Sequence, residues 1–408
     1  VSTYVALDSS TVIDYLRQCE EVRAVFAPDE PLWAREVGDG NLNLVFQVYS
    51  QADPRRSLVV KQALPYVRCV GPSWPMTLER NRIEGEALQV EWAICPGRVP
   101  RLYRLDVPMA LMVMENLEPH VIMRKGLIAR KRYPRFAEHI GTFMAHTLFK
   151  TSDLYLDHAT KKREVARFIN PDLCKITEDL VFTHPYMEAE GNRWNRLLDP
   201  EVERLRADQA LKDEIFWLKD QFMTRAQALI HGDLHTGSIM VTEDDTRVID
   251  PEFAFYGPMG FDVGAVLGNL CLSYASHEGH TLDPDERCEY QEYLLGLVRA
   301  VWTVFEREFR RLWDEHPTPW PGGAYQDRYL LQLLRDSAGF GGCKMMRRVL
   351  GLAHVLDLDS IPDPATRARA ESLALAIGQS WVRERESLAS IDDLITLVRH
   401  ARPAFPYD

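Results

Sequence analysis

Residues 229–264 read LIHGDLHTGSIMVTEDDTRVIDPEFAFYGPMGFDVG. Two short apolar runs, 227–230 and 239–242, have the composition of strands, and Glu243-Asp244-Asp245 supplies a polar turn before a third run at 246–249. Asp233, Asp250 and Glu252 therefore fall just beyond strand ends, on two loops joined by a β-hairpin. A single acid beside a turn is ordinarily a loop cap or a solvated residue. Three at this spacing, closed by Asp250-Pro251-Glu252, point instead to a shared task.

Phosphoryl transfer from ATP needs little covalent help from a protein; the work is to hold one or two magnesium ions and to orient the attacking hydroxyl, and carboxylates suit both jobs. In a protein-kinase site the order is a catalytic Asp, a metal-binding Asn five residues later, and a metal-binding Asp after a hairpin. The same order here gives Asp233 as the group that takes or orients the substrate's proton, Ser238 at the Asn position, and Asp250 toward Mg2+ and the triphosphate. Glu252 is placed to supply the second carboxylate that Ser238 cannot.

HGDLHTGSI followed by VIDPEFAFYGPMGFDVG closely resembles the 5-methylthioribose kinases, members of the choline-kinase and aminoglycoside-phosphotransferase branch of the protein-kinase-like fold. General members of that branch carry Asn at the Ser238 position and Asp-Trp-Glu at 250–252; both departures are the methylthioribose kinase variant. The resemblance extends through GDGNLNLVF near the start, KGLI and HIGTFMAHTLF in the middle, and RRVLGLAHVLDLDSI late in the chain. It implies an α+β, bilobal protein-kinase-like fold: a small antiparallel β N-lobe with a helix, then a larger, mainly α-helical C-lobe. It also implies a homodimer that phosphorylates 5-methylthioribose at the 1-hydroxyl in methionine salvage, while composition makes a cytoplasmic location the default.

At 408 residues the chain is too long for one typical core, and two lobes are the simplest division. Its 46% apolar and 26% charged content is that of a soluble protein, without a run of about eighteen apolar residues to span a bilayer. The start, VSTYVALDSSTVIDYL, lacks the basic and apolar regions of a signal peptide. Seven cysteines without a C-x-x-C pair argue against a disulfide framework or a zinc site. A formal charge of −12 argues against nucleic-acid or anionic-membrane partners, so an anionic ligand must be held by local charge.

Along the chain, the periodicity predicts a helix over 11–25 capped by Ser10 or Asp8, then strands at 33–37, 43–49 and 57–61, a charged helix over 79–93 and an apolar strand over 107–114. Composition then turns helical, for example over 135–149, interrupted by the hairpin and by a Pro/Gly-rich loop at 317–323. The change places the lobe boundary at Glu115–Glu118, with an N-lobe of residues 1–117 and a C-lobe of 118–408.

For the nucleotide, Gly38, Gly40, Asn41 and Asn43 form a small-residue turn between two strands, where backbone N–H groups can approach phosphates. A strand follows the turn, which excludes a Walker A loop and a Rossmann turn. Lys61, ending the run Leu58-Val59-Val60, stands where a kinase lysine reaches the α- and β-phosphates. A helix carboxylate should orient it, and because residues two apart on a helix face differently, either Glu84 or Glu86 can do so but not both. The resemblance favours Glu84, and it assigns adenine binding to the backbone of Glu115 and Leu117 in the MENL hinge.

For the sugar, the resemblance implies that Trp74, in the loop Gly71-Pro72-Ser73-Trp74-Pro75, covers the substrate. It further implies that Arg347 and Arg348 contact substrate or steady the transferring phosphoryl group alongside Asp233. Those arginines read as opening a helix after the flexible Gly339, Gly341 and Gly342, and neighbours about 100° apart cannot point alike. His231 reads as a structural hydrogen-bonding residue, and His235 carries no assignment. The alternatives are a kinase for choline, homoserine or an aminoglycoside, whose cationic substrates would ask for an acidic or aromatic cage, and a nucleotide-binding pseudokinase scaffold.

Overall fold

A computed structural model describes residues 4–38, 42–68, 71–316 and 319–406. The chain forms two compact units. The first comprises Val1–Pro119, Asn170–Leu173 and Arg247–Ala254, and the second His120–Ile169, Cys174–Thr246 and Phe255–Asp408.

In the first unit, β1 (Leu32–Glu36), β2 (Asn43–Ser50), β3 (Ser57–Ala63), β4 (Leu102–Asp106) and β5 (Leu111–Glu115) make an antiparallel sheet in the order β1-β2-β3-β5-β4. Side chains alternate between the faces of a strand. Phe46 and Val48, Leu58 and Val60, and Leu111 and Val113 accordingly bury one face against Val12, Leu16, Val22 and Phe26 of the N-terminal segment. Lys61, one step out of phase with Val60, points to the other face, where α2 (Glu79–Ile94) packs.

Two expectations for this unit are corrected. The N-terminal helix is not continuous: α1 covers Thr11–Arg17 and a 3-10 turn covers Glu20–Ala24. Asp8 is the residue that caps α1, accepting from the N–H groups of Ser10 at 2.8 Å and Thr11 at 2.9 Å. The single strand expected over 107–114 is a tight connection followed by β5. Ala110 sits at φ +45, and the Asp106 carboxylate accepts the Met109 N–H at 3.2 Å. The strand before that turn, β4, escaped notice because its arginine interrupts the apolar pattern; Arg104 is paired with Glu21 at 3.0 Å.

The second unit is built on long helices. Those spanning Met259–His280, Ala324–Leu350 and Pro364–Glu384 meet backbone to backbone at glycines. A Cβ added at Gly264 would lie 2.3 Å from the Ser337 carbonyl oxygen, one at Gly341 2.8 Å from the Gly264 oxygen, and one at Gly342 2.5 Å from the Gly378 oxygen. Only glycine permits this approach. Gly339, Gly341 and Gly342 are thus interior helical residues rather than a flexible lead-in, and Arg347 and Arg348 close a helix instead of opening one. Short pairings, Ala228–Ile230 with Phe255–Gly257 and Val121–Ile122 with Ile239–Val241, frame the loop that carries Asp233. No helix among the described residues is long and apolar enough to cross a membrane.

Candidate active site

The first unit gathers a lysine among three carboxylates. Lys61 Nζ donates to Glu84 Oε1 at 2.7 Å and also pairs with Asp250 Oδ1. Glu84 lies on the buried face of α2; Glu86, two residues on, turns to Arg82 at 3.0 Å. Asp250 sits at φ +71, a left-handed conformation that costs a non-glycine residue about 1–3 kcal/mol and must be held by its surroundings. Val248 N–H donates to Arg98 O at 2.7 Å just before it, and Asn170 Nδ2 holds the carbonyls of Glu252 at 2.9 Å and Ala254 at 3.1 Å just after. The Glu252 carboxylate accepts from Asn43 Nδ2 at 3.0 Å and faces Arg80 Nε at 3.5 Å; Arg80 is fully buried.

Glu84, Asp250 and Glu252 bring ligand oxygens within 4.8 Å of one another, the one group of this kind among the described residues. Burial pushes the Glu84 carboxyl up despite the opposing charge of Lys61. Burial and the neighbouring Asp250 do the same to Glu252. Lys61 is buried, yet Asp250, Glu84 and Glu252 outweigh the cost of burial and hold its ammonium above the ordinary range. A cluster of hard oxygen donors whose negative charges are crowded and desolvated fits a divalent cation such as Mg2+, which relieves that repulsion.

The remaining nucleotide candidates take varied places. Gly38 occupies a turn with open space around its Cα; Gly40 and Asn41 lie outside the described residues. Asn43 is buried, and its amide bridges Glu252 and Arg80, accepting from Arg80 Nη2 at 2.9 Å. The same Nη2 reaches Leu42 O at 3.1 Å and so fixes the exit of the small-residue turn. Glu115 exchanges contacts with Arg101, its N–H donating to Arg101 O at 2.9 Å while its carboxylate accepts the Arg101 N–H at 3.1 Å; Leu117 is buried. Trp74 is half-buried on its loop, where its carbonyl accepts the Val67 N–H at 2.9 Å and its N–H donates to Gly71 O at 3.1 Å.

The second unit builds a separate group around Asp233. Near the start of the Met259–His280 helix, the Asp262 carboxylate accepts the backbone N–H of His231 at 2.6 Å and of Gly232 at 3.0 Å, and Gly232 turns the chain at φ +82. The His231 ring contributes inside the loop, its Nδ1 accepting the Asp233 N–H at 3.2 Å. Ser238 Oγ donates to Asp233 O at 3.0 Å, so the hydroxyl at the kinase Asn position braces the loop's own backbone.

Asp233 Oδ1 accepts from Lys344 Nζ at 2.8 Å and faces Arg347 Nη2 at 3.7 Å, while Oδ2 lies 3.3 Å from His235 Nε2. Burial alone would raise the Asp233 carboxyl, but Lys344, His235 and Arg347 together hold it well below the usual range. His235 is driven down to about 4, chiefly by burial, so its ring is neutral at pH 7. Since its Nδ1 accepts the Gly237 N–H at 3.0 Å, the ring proton belongs on Nε2, toward Asp233. Arg347 and Arg348 are both buried and diverge: Arg347 turns to Asp233, whereas Arg348 Nη1 donates to Ala353 O at 3.1 Å. Lys344 escaped the sequence reading, although it stands three residues before Arg347 on one helix face, a spacing that makes the two neighbours.

A model of the phosphotransferase enzyme family matches residues 33–301. Methylthioribose kinase 1 of Oryza sativa subsp. japonica is 45% identical over 411 residues, covering 96% of this chain and 95% of that one. The methylthioribose kinase of Pectobacterium atrosepticum is 42% identical, covering 98% and 100%, and that of a Geobacillus species 45% identical, covering 91% of each. Identity at this level along nearly the whole of both chains shows the family: the chain belongs to the phosphotransferase enzyme family, with its protein-kinase-like fold, and within it to the methylthioribose kinases.

Proposed function

We propose that this enzyme transfers the γ-phosphoryl group of ATP to the 1-hydroxyl of 5-methylthioribose, giving 5-methylthioribose 1-phosphate and ADP. The observation that carries the reading is identity of 42–45% to proteins named methylthioribose kinase over at least 91% of the chain. In the reaction, the sugar oxygen bonds to the γ-phosphorus as its bond to the β,γ-bridging oxygen breaks, and the hydroxyl proton leaves toward Asp233. A carboxylate held so firmly ionised is a feeble base but a strong hydrogen-bond acceptor. That suits a loose transition state, in which orientation of the nucleophile matters more than early proton removal.

On the nucleotide side, Lys61, steadied by Glu84, neutralises α- and β-phosphate charge, and the turn at Gly38, Gly40 and Asn41 offers backbone N–H groups. The hinge backbone at Glu115 and Leu117 takes the adenine. Asp250 and Glu252 would hold Mg2+, and Glu84 lies close enough to join them. Magnesium, when bound, supplies neutralisation of the triphosphate and of the charge that develops during transfer. Arg347 offsets charge beside Asp233, and Trp74 closes over the apolar methylthio group. The choline-type alternative meets a physical obstacle: a cationic acceptor next to Asp233 would face Lys344 and Arg347.

A coupled assay of ADP release with ATP, Mg2+ and each of 5-methylthioribose, ribose, choline and homoserine tests the assignment, with phosphorus NMR of the product to locate the ester. Turnover confined to 5-methylthioribose and an anomeric phosphate are expected. Turnover on choline alone would overturn the reading.

A further inference from the structure

We infer that Lys344 is a positioning residue for phosphoryl transfer, its ammonium fixing Asp233 Oδ1 and keeping the carboxylate aimed and charged. The inference rests on the reading of Asp233 as the group that orients the acceptor hydroxyl.

The geometry is specific. Lys344 lies in the closing turns of the Ala324–Leu350 helix and is 2% exposed. Its ammonium sits 4.3 Å from the centroid of the Phe261 ring, itself fully buried and packed edge-on against Phe340 at 5.5 Å. Phe340 precedes Lys344 by one helical turn, and the Phe261 ring it packs against lies under the ammonium. An ammonium withdrawn from water is costly unless an anion compensates it. The anion is Asp233, at 2.8 Å, nearer than Arg347 at 3.7 Å. Among the described residues, Arg347 and Arg348 on its own helix also act on Lys344, and Asp262 feels the Lys344 charge from the neighbouring helix.

The choice of lysine over arginine has a consequence. Burial first, then repulsion by Arg347 and Arg348, outweigh the attraction of Asp233 and bring the Lys344 ammonium down to about 8. Asp233 stays ionised beside the cations of Lys344 and Arg347, whereas Lys344 is lowered first by burial and then by Arg347 and Arg348. As pH rises through that value the lysine loses its charge and Asp233 loses its nearest counter-ion. An arginine at the same position does not titrate in the accessible range.

The test compares the wild type with Lys344→Met, Lys344→Arg and Asp233→Asn, reading kcat, KM, nucleotide affinity and the pH profile of kcat/KM, which reports free-enzyme ionisations. Expected are an alkaline limb near 8 in the wild type, a loss of about 100-fold in kcat for Lys344→Met with nucleotide affinity retained, and recovery of about 10-fold in Lys344→Arg with the limb gone. Wild-type kcat in a folded Lys344→Met enzyme, or an unchanged limb in Lys344→Arg, overturns the inference. Should both variants fail to fold, a wild-type kcat/KM that stays level past pH 9 overturns it, and a limb near 8 supports it. Near-normal turnover of Asp233→Asn would instead sink the underlying role of Asp233, whatever Lys344 does.

Discussion

Lys61 Nζ and Glu84 Oε1 meet at 2.7 Å with both side chains withdrawn from water, one on the third strand of the sheet and the other on the helix that packs against it. Lys61 is the cation that Glu84, Asp250 and Glu252 share, and removing a buried cation leaves the carboxylates around it uncompensated. Lys61→Met would crowd Glu84, Asp250 and Glu252 without their common cation. It should lower kcat by about 10²–10³ and weaken nucleotide binding, and Glu84→Gln should act in the same direction but less. Steady-state kinetics with a nucleotide titration checks this; wild-type turnover in either variant would remove the pair from the nucleotide site.

Asp233→Ala deletes the hydrogen-bond acceptor around which Lys344, Arg347 and His235 converge. Turnover should fall by about 10²–10⁴, while ATP affinity, which the proposed function assigns to residues of the first unit, should change little. Equilibrium binding of a fluorescent nucleotide alongside single-turnover kinetics separates the two effects. Equal losses in both would argue that the substitution merely unfolds the loop.

The helical glycines divide into two kinds. At Gly264 a Cβ would strike the Ser337 carbonyl oxygen at 2.3 Å, a backbone atom that cannot turn aside, whereas around Gly296 nothing lies within 4 Å. Gly264→Ala should therefore destabilise by about 1–3 kcal/mol through overpacking. Gly296→Ala, in the middle of the Pro284–Glu315 helix, should stabilise by about 0.5–1 kcal/mol. Opposite shifts of the thermal midpoint are the expected outcome.

Glu371, on the Pro364–Glu384 helix, is pushed up to about 7 by burial, against the opposing pull of Arg367 at 3.8 Å. Below its ordinary value of 4.5 the carboxyl is protonated in both folded and unfolded chains, and its contribution is fully present. Between 4.5 and about 7 the folded state binds the extra proton, so stability from this group declines as pH rises, by about 3 kcal/mol in total. Glu371→Gln, which mimics the neutral acid, should match the wild type in urea at pH 4.5 and exceed it at pH 8. A constant difference across that range would show that the group is not buried as a neutral acid.

How much of this was legible in the letters depended on the kind of signal. The sheet announced itself through alternation, because one face of Phe46, Val48, Leu58 and Val60 is buried and the other carries Lys61. Asp233, Asp250 and Glu252 stood out because three acids at this spacing, closed by Asp250-Pro251-Glu252, have a shared task that a lone acid beside a turn does not. The fourth strand was hidden by Arg104, whose ion pair with Glu21 lets a cation sit on a strand. The arginine pair was given to the wrong end of a helix, because Gly339, Gly341 and Gly342 read locally as breakers. Their reason for being helical is the backbone of two other helices, which no local window contains. Lys344 was invisible for a similar cause: a lysine in a helix reads as solvated until Phe261 and Asp233 close over it.

The first unit takes residues 247–254 from far along the chain, and with them the carboxylates that answer Arg80 and, together with Glu84, Lys61. On a ribosome delivering about 5–20 residues per second, the N-terminal sheet emerges long before its electrical partner. Arg80, fully enclosed in the finished protein, has no Glu252 to face until synthesis has passed residue 252. The nascent sheet is thus expected to remain open on that side, and a gene fragment ending at Pro119 should yield a protein that cannot close around its own arginine.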